Sequence, residues 1–447
     1  MSTAASDVQI QDISLVKPLN ATPSLNLYLP PVDTFYKSLL YIRDVLFYSL
    51  ADEGNTYPSC NIKSLKAGLS LALVDFYPVA GRLCHDDAGQ LTINCNDAGV
   101  EFVEAVTDHS FHELYNAHFP ILDFYDGLAR VSHYLQHESL EDAPLLSIQV
   151  TKFKDEAGIA IGVAASHVVF DGHSLWYFLK SWGECCRKEG ISFPPFHVRS
   201  VLKPECLLEK SKLPTKVDFV LPAPVFPKHL PERAHHRVLH FDAATVQQLK
   251  HTAIRESGIS HVSSLQAVLA FVWKRVVASL DLSPQHKVCM NLKADLRKRL
   301  RPALTEAYFG NALDTLYVNA TAGDLIDEGI GAIASRIHET VKVLDDQAYI
   351  RQRLAISKEA ELNQLLSEII HGVTQVMFVH HGSKFPVYQV DVGMGKPVAA
   401  RPPTIHFDTS VVVYPGKELG AIDVCVRFTK LQNFQTFLSI ESPSFDI

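Results

Sequence analysis

Residues 164–176 read AASHVVFDGHSLW, and this stretch decides how the first half of the chain is organised. Before it, two apolar runs at 145–153 and 158–166 are joined by the polar string KDEAG, a pattern typical of a β-hairpin. After it, residues 174–188 carry apolar side chains at helical spacing. His167 is therefore predicted to lie where a strand turns into a helix.

The second apolar run alternates side-chain size. Ile159, Ile161 and Val163 are large, whereas the residues between them are Ala or Gly. Because successive side chains of a strand point to opposite faces, one face is predicted to pack a core. The other face should let a neighbouring group approach the backbone closely.

His167 and Asp171 form an H-x-x-x-D pattern in this turn. Loops that follow strands often build functional sites, and imidazole is the usual general base near neutral pH. Asp171 could orient the ring or fix the turn that holds it. A buried histidine beside an ordinary turn aspartate fits the same letters, and for an isolated H-x-x-x-D that simpler interpretation is the commoner one.

His167, Asp171 and His173 together also allow a metal-binding interpretation. Zinc sites need three or four ligands with supporting groups behind them, and the histidine pairs at 235–236 and 380–381 bring no matching carboxylates. We therefore expect no metal. The chain also lacks a G-x-S-x-G elbow, a complete P-loop and a G-x-G-x-x-G string, so serine hydrolase, nucleotide triphosphate and nicotinamide chemistry have no support.

Composition narrows the class of protein. The chain has 447 residues, 47% of them hydrophobic, and a formal net charge of −8 without a basic stripe, so no nucleic-acid partner is expected. No apolar run approaches the roughly 20 residues that span a bilayer, and the N-terminus does not resemble a secretory signal. Eight scattered cysteines without C-x-x-C indicate reduced thiols. These features predict a cytoplasmic protein without membrane contact.

Proline marks the boundary between two halves, because eight of the 24 prolines fall between residues 194 and 231. We predict an N-terminal domain at 1–190, an extended proline-rich linker at 191–235 and a C-terminal domain at 236–447. Helices and strands mix without regular repetition, which favours an α/β fold of α+β layers. Periodicity and capping residues predict helices at 62–75, at 243–256 after Asp242, after Ser263 or Ser264, at about 326–370 and at 429–438, and strands at 409–414 and 421–428.

Three further strings accompany SHVVFDGHSLW. They are FYPVAGRL at 76–83, RKRLRPALTEAYFGN at 297–311 and SKFPVYQVDVGMGKP at 383–397. In this order and spacing, over nearly the whole chain, they resemble the BAHD acyltransferases of plants, with their H-x-x-x-D and D-F-G-W-G motifs. The tail looks most like the poorly characterised HxxxD acetyltransferase-type members.

The resemblance implies two chloramphenicol-acetyltransferase-like domains with a channel between them, and a monomer. It implies acyl-CoA as a co-substrate, with no permanently bound cofactor, and a small-molecule acceptor. His167 would remove the proton of an acceptor hydroxyl or amine, which then attacks the thioester directly.

The other family positions are carried over residue by residue. Asp171 is expected to be structural, with Arg297 as its partner, and Gly172 completes the turn. Asp391 opens the counterpart of the D-F-G-W-G motif, which here reads DVGMG, although Gly393 and Gly395 are kept. Asp391 is expected to be structural, a strand-end aspartate in an ion pair. Ser263, Ser264 and Lys396 lie near CoA in relatives, and an ordinary helix cap and a solvated lysine explain them equally well.

Two alternatives stay open at this point. One is a member of the family repurposed for lyase or hydrolase chemistry, and the other is a non-catalytic binding homologue. The altered DVGMG motif is the feature that supports the latter.

Overall fold

The structure is a computed structural model that describes residues 7–38, 41–52, 55–56, 61–131, 142–209, 234–356, 368, 372–403 and 409–440. Two six-stranded sheets form its frame. The first has the strand order β1 (Val8–Val16), β8 (Val100–Thr107), β9 (Leu146–Phe153), β10 (Gly158–Ala165), β3 (Ile42–Ser49) and β15 (Ala399–Arg401). The second has the order β11 (His235–Phe241), β17 (Ile422–Phe428), β16 (Val411–Pro415), β14 (Thr374–His381), β12 (Lys287–Asp295) and β13 (Leu313–Thr321).

Two smaller sheets complete the strands. They contain β2 (Leu25–Tyr28), β7 (Leu91–Cys95) and β6 (Arg82–His85) in one case, and β4 (Ala51–Asp52) with β5 (Asn55–Thr56) in the other. The α-helices of the described residues are α1 (Pro31–Thr34), α2 (Ile62–Asp75), α3 (Phe111–Asn116), α4 (Gly172–Cys186), α5 (Pro204–Leu207), α6 (Ala243–Ser257), α7 (Ser264–Ala278), α8 (Ala322–Asp327), α9 (Ile330–Lys342), α10 (Gln347–Ala355) and α11 (Leu431–Ser439). None of these helices is long and apolar enough to cross a membrane.

The predicted hairpin is confirmed, since β9 and β10 pair antiparallel with Val163 opposite Ile148. The size alternation along β10 has the predicted consequence. Ile159, Ile161 and Val163 lie in the core beneath α2 and α4, whereas a Cβ added to Gly162 would meet the carbonyl oxygen of Leu128 at 1.8 Å. The group that approaches the backbone is therefore the segment 128–129.

Helices α2, α6 and α7 follow from local sequence. Residues 62–75 are helical as predicted, Asp242 caps α6 by accepting from the Thr245 N–H, and Ser263 is the N-cap of α7. The helix predicted at 174–188 begins two residues earlier, at Gly172.

The prediction of one long helix at 326–370 is wrong within the described residues. Gly329 precedes α9 and Asp346 caps α10, so the segment is broken into short helices. Residues 357–367 and 369–371 lie outside the described residues. The strands β11 to β14 were not predicted, although they build most of the second sheet.

The predicted linker falls largely on residues 210–233, which lie outside the described residues. Its described part contains a 3-10 turn at Arg199–Leu202 and the short helix α5 rather than only extended chain. The predicted domain boundaries stay a prediction. One strand crosses between the halves, because β15 of the C-terminal half pairs with β3, with Ala399 opposite Phe47.

Candidate active site

The turn between β10 and α4 carries the H-x-x-x-D pattern. Ser166 accepts backbone N–H groups from Val169 and Phe170, which closes the turn directly after the strand. Asp171 then caps α4, since its Oδ1 accepts from the Ser174 N–H at 2.9 Å. A strand, a tight turn and a capped helix thus hold His167 at a fixed point of the fold.

His167 lies under an aromatic ring. Tyr36 stacks on it, with ring centroids 3.8 Å apart and planes 5° apart. Burial lowers the pKa of His167 to about 4, and the nearby Lys293 acts in the same direction. The imidazole is therefore neutral near pH 7 and has a lone pair that can accept a proton.

Asn311 holds the backbone of His167. Its Nδ2 donates to the His167 carbonyl oxygen at 2.8 Å and to Asp33 Oδ1 at 2.8 Å. Nδ1 of His167 and Oδ1 of Asn311 are both buried, and neither makes a hydrogen bond of ordinary geometry. Nε2, the other ring nitrogen of His167, is not among these buried atoms without a partner.

Two charged hydrogen bonds join the side chains of Asp171 and Arg297. Nη1 of Arg297 lies 2.6 Å from Asp171 Oδ2, and Nη2 lies 3.0 Å from Oδ1. Burial alone would raise the pKa of Asp171, but Arg297 outweighs it and the pKa is lowered to about 2. The carboxylate points into this network, where it also accepts from the Ala312 N–H at 3.1 Å.

A second buried ion pair reinforces the same turn from the other side. Arg199 donates to Asp33 Oδ2 at 2.7 Å and to the Val169 carbonyl oxygen at 3.0 Å. Asp33 also accepts from the Asn311 N–H at 2.9 Å. The linker, the segment after β2 and the string YFGN thus converge on the backbone next to His167.

Asp391 does not make the ion pair that the sequence predicted, as far as the described part of the chain shows. Its Oδ1 accepts from the N–H groups of Gly393 at 2.8 Å and Gly395 at 3.1 Å, and Arg187 donates to its backbone carbonyl oxygen. A carboxylate that accepts backbone donors two and four residues on stabilises a turn, so no oppositely charged partner is needed.

The DVGMG turn keeps the backbone that its glycines permit. Gly393 and Gly395 have φ of +90° and +81°, which only glycine adopts easily. Val392 and Met394, which stand where the motif has aromatic residues, are both buried in the core of the N-terminal half. In this chain, neighbouring core side chains therefore pack around the two residues that replace the aromatic ones.

Gly172 is the first residue of α4 and faces another ring. A Cβ at this position would lie 2.6 Å from Cζ of Phe385, whose ring stacks on Trp176. The turn of His167 is thus packed against the segment that leads into the DVGMG motif.

The residues predicted to lie near CoA are separate from this network. The Ser263 hydroxyl accepts from the Gln266 N–H at 3.2 Å, while Gln266 reaches back to the Ser263 N–H, a capping box. Ser264 begins α7, and Lys396 is exposed. No hydrogen bond between described residues joins any of the three to His167.

Among the described residues, no arrangement of side chains supports a metal site. Asp171 is bound by Arg297, and Nε2 of His173 hydrogen-bonds the Glu306 carbonyl oxygen at 2.9 Å. No group of three His, Cys, Asp or Glu side chains in the described ranges is placed to hold a metal ion.

Sequence analysis missed three residues beside His167. Tyr36 stacks on the ring from 131 positions away, Thr315 is hydrogen-bonded to the hydroxyl of Tyr36, and Lys293 donates to Thr315 Oγ1 at 2.8 Å. Asn311 was within a quoted string, YFGN, but no role was assigned to it. The fold alone brings Tyr36, Lys293 and Thr315 to the site.

A model of the Transferase family matches residues 6–438 of this chain. The chain belongs to the Transferase family. It is the family of the BAHD acyltransferases, and the chain is accordingly an enzyme of the acyltransferase class.

Two plant relatives match over nearly their whole lengths. A BAHD acyltransferase, DCR, of Arabidopsis thaliana is 30% identical over 449 residues, covering 94% of this chain and 90% of the relative. A shikimate O-hydroxycinnamoyltransferase of Nicotiana tabacum is 27% identical over 446 residues, covering 96% and 99%.

Solved structures share the fold of this BAHD acyltransferase. Vinorine synthase superposes with a TM-score of 0.74 at 21% identity, covering 98% of this chain and 99% of that one. TRI101 of F. sporotrichioides, complexed with coenzyme A and T-2, superposes with a TM-score of 0.70 at 18% identity, covering 94% and 98%. The mixed α/β fold with two large sheets is thus the expected one.

Proposed function

We propose that this BAHD acyltransferase moves an acyl group from acyl-CoA to a hydroxyl or amine of a small plant metabolite, with His167 as the general base. The observation that carries the proposal is the placement of the His167 imidazole at the junction of β10 and α4, where Tyr36 stacks on the ring and Asn311 hydrogen-bonds the His167 carbonyl oxygen. The relatives named as hydroxycinnamoyltransferases and the CoA complex of TRI101 support acyl-CoA as the donor.

In the proposed reaction, Nε2 of His167 accepts the proton of the acceptor O–H or N–H while the freed lone pair attacks the thioester carbonyl carbon. A tetrahedral intermediate forms, the C–S bond breaks, and the CoA thiolate leaves. The protonated His167 returns its proton to the thiolate. Donor and acceptor thus become ester or amide and free CoA without an acyl-enzyme.

Because His167 is a weak base, proton removal by its ring is expected to supply only part of the rate acceleration. A base with a pKa of about 4 is fully deprotonated at pH 7 but drives proton removal weakly. Holding two substrates in attack geometry must therefore contribute a large share of the rate, because orientation can contribute several orders of magnitude.

The other predicted residues take supporting roles. Asp171 and Arg297 fix the turn of His167, and Asp391 with Gly393 and Gly395 fixes the second motif. Ser263, Ser264 and Lys396 are proposed CoA contacts. A channel between the domains 1–190 and 236–447, joined by the linker 191–235, would admit donor and acceptor.

The test follows free thiol after mixing the protein with acetyl-, malonyl- and p-coumaroyl-CoA and a panel of alcohols, phenols and amines. We expect acceptor-dependent thiol release that falls at least about 100-fold in His167→Ala. His173→Ala is the matched control, since His173 lies six residues after His167 and its ring hydrogen-bonds the Glu306 backbone carbonyl at 2.9 Å, and it should retain activity.

Three other outcomes separate the alternatives. Thiol release without any acceptor would indicate a thioesterase, and acceptor consumption without thiol release would indicate a lyase. CoA binding without turnover would indicate a non-catalytic homologue. Mass spectrometry of the product formed from a plant extract and mixed acyl-CoAs would identify the acceptor.

The proposed enzyme is a cytoplasmic monomer. Its size and net charge, without a basic stripe, are compatible with a freely diffusing enzyme that acts on small molecules. Light scattering of the purified chain and fractionation of plant cells test these two properties.

A further inference from the structure

Lys293 is a half-buried lysine that none of the steps above uses. It lies on β12 directly opposite Thr315 of β13, and its Nζ donates to Thr315 Oγ1 at 2.8 Å. Thr315 in turn is hydrogen-bonded to Tyr36, whose ring covers His167. A chain of three contacts therefore links Lys293 to the proposed base.

The charge of Lys293 has no counterpart in the described part of the chain. An ammonium group has three N–H donors, and Thr315 takes one of them. No described carboxylate forms an ion pair with it. Asp295, two residues further along β12, is bound by Arg297 at 3.2 Å.

Burial lowers the pKa of Lys293 to about 8, so the group is still mostly protonated at pH 7. A desolvated cation without a partner is costly for the free protein. An anion that binds Nζ offsets part of that cost, so Lys293 favours the binding of a negatively charged group.

The face of the sheet that carries Lys293 has the polar side chains of Asn291 and Thr315 next to it and apolar side chains beyond them. Asn291 lies two residues before Lys293 and pairs with Tyr317 on one side and Phe378 on the other. Tyr317 and Phe378 belong to a small apolar cluster with Cys289 and Val376, apart from the main core beneath α7. One step of two residues along a strand is roughly 7 Å. A cation thus lies beside an apolar surface, next to His167.

We propose that Lys293 binds a carboxylate carried by one of the two substrates, so that the enzyme selects either a hydroxy-acid acceptor or a dicarboxylic acyl group. The inference rests on the proposed acyl transfer at His167. It adds a specificity-determining residue to that site, and the two sources of the carboxylate share one chemistry.

The first experiment compares each acid with its methyl ester. Shikimate and methyl shikimate, with further hydroxy acids and their esters, are offered with acetyl-CoA and p-coumaroyl-CoA. Benzyl alcohol is offered with malonyl-CoA and with acetyl-CoA. The first arm tests a carboxylate on the acceptor, and the second tests one on the acyl group.

Lys293→Met removes the charge and keeps the length of the side chain. We expect it to raise the KM of the charged substrate in one arm about 10-fold or more, as loss of a charged hydrogen bond does, while the KM of its uncharged analogue stays the same. Lys287→Met is the matched control, because Lys287 is exposed on the same strand. The melting temperature of Lys293→Met should not fall, since a half-buried charge without an ion-pair partner among the described residues is removed.

A second readout needs no turnover. Calorimetric binding of the preferred acid should weaken by the same factor in Lys293→Met, and in the wild type it should weaken as pH rises above about 8. The other ionisable groups named around Lys293 should not change their charge near that pH. Burial lowers the pKa of His167 and His381 and raises that of Tyr36, while Asp295 stays paired with Arg297.

The outcomes separate this inference from the proposed function. Turnover of acid and ester with equal loss in Lys293→Met, or binding of neither acid by the wild type, would overturn the role of Lys293. Absence of thiol release with every pair would overturn the transferase, whereas binding of an acid that depends on Lys293 would still support the anion site.

Discussion

Arg297, which lies in the other half of the chain, forms a bidentate ion pair with Asp171, with N···O distances of 2.6 and 3.0 Å. The side chain of Arg297 is 1% exposed and that of Asp171 is 3% exposed. The same carboxylate caps α4 and accepts from the Ala312 N–H. One acidic group thus joins the turn of His167 to the segment between β12 and β13. Within the H-x-x-x-D pattern, the aspartate therefore positions the histidine by fixing the backbone of the turn that joins them.

Asp171→Asn should reduce both stability and turnover. The substitution removes the buried counter-charge of Arg297 and leaves it only the half-exposed Asp295, and breaking a buried ion pair typically costs about 3–5 kcal/mol. Urea unfolding measures the free energy of unfolding, and thiol release measures turnover. Asp295→Asn is the matched control, because Asp295 binds the same Nη1 but is half-exposed, and it should cost less than about 1 kcal/mol. Lost turnover with unaltered stability would instead indicate a direct catalytic role for Asp171.

The pH dependence of kcat/KM should show its acid limb near pH 4 to 5 rather than at 6.5. Burial lowers the pKa of His167 to about 4, and only the deprotonated ring accepts a proton, so activity is present above that pKa and lost as pH falls through it. Tyr36→Ala should shift the limb upward, because it uncovers one face of the ring. Circular dichroism at each pH separates titration from acid unfolding. A limb at 6.5 in the wild type would contradict the burial of the ring.

The parts of the fold that were predictable are those with local signals. The hairpin β9–β10, α2, and the caps Asp242 and Ser263 are visible in periodicity and capping letters. The strands β12 and β14 were missed because both have neighbours on both edges and their burial is nearly continuous, so they lack a clean alternation. The crossing strand β15 has only three residues, and its pairing with β3 depends on the whole fold.

The candidate site likewise has one part that the sequence predicts and another that it does not. The contact between Asp171 and Arg297 was expected from the motifs, which lie 126 positions apart, and the structure contains it. Tyr36 and Lys293 belong to no motif, and nothing in TFYK or NLKAD distinguishes them from core and surface residues. Only the packing of β12 and β13 against the segment after α1 brings them to His167.

Lys396→Glu should raise the KM for acyl-CoA about two- to tenfold and leave the KM for the acceptor unchanged. Lys396 is exposed after the Gly393–Gly395 turn, and reversing an exposed charge changes its attraction to phosphates by a modest amount that salt screens. The effect should therefore shrink in 0.5 M salt. Lys63→Glu, an equal reversal on the exposed side of α2, controls for net charge. An unchanged KM would remove Lys396 from the CoA site.

Gly172→Ala should destabilise the protein through a single neighbour, the ring of Phe385. The new Cβ would lie 2.6 Å from Cζ of that ring, and overpacking of this kind costs about 1–3 kcal/mol. Phe385→Leu shortens the opposing side chain and should be only mildly destabilising, since Phe385 is partly exposed. In the double variant the clash is absent, so the free energies of unfolding should be non-additive by about 1 kcal/mol in the stabilising direction. Turnover should follow the same pattern, because Gly172 begins the helix that ends the turn of His167. Additive losses would mean that the ring moves aside freely and that Phe385 does not set the position of the turn.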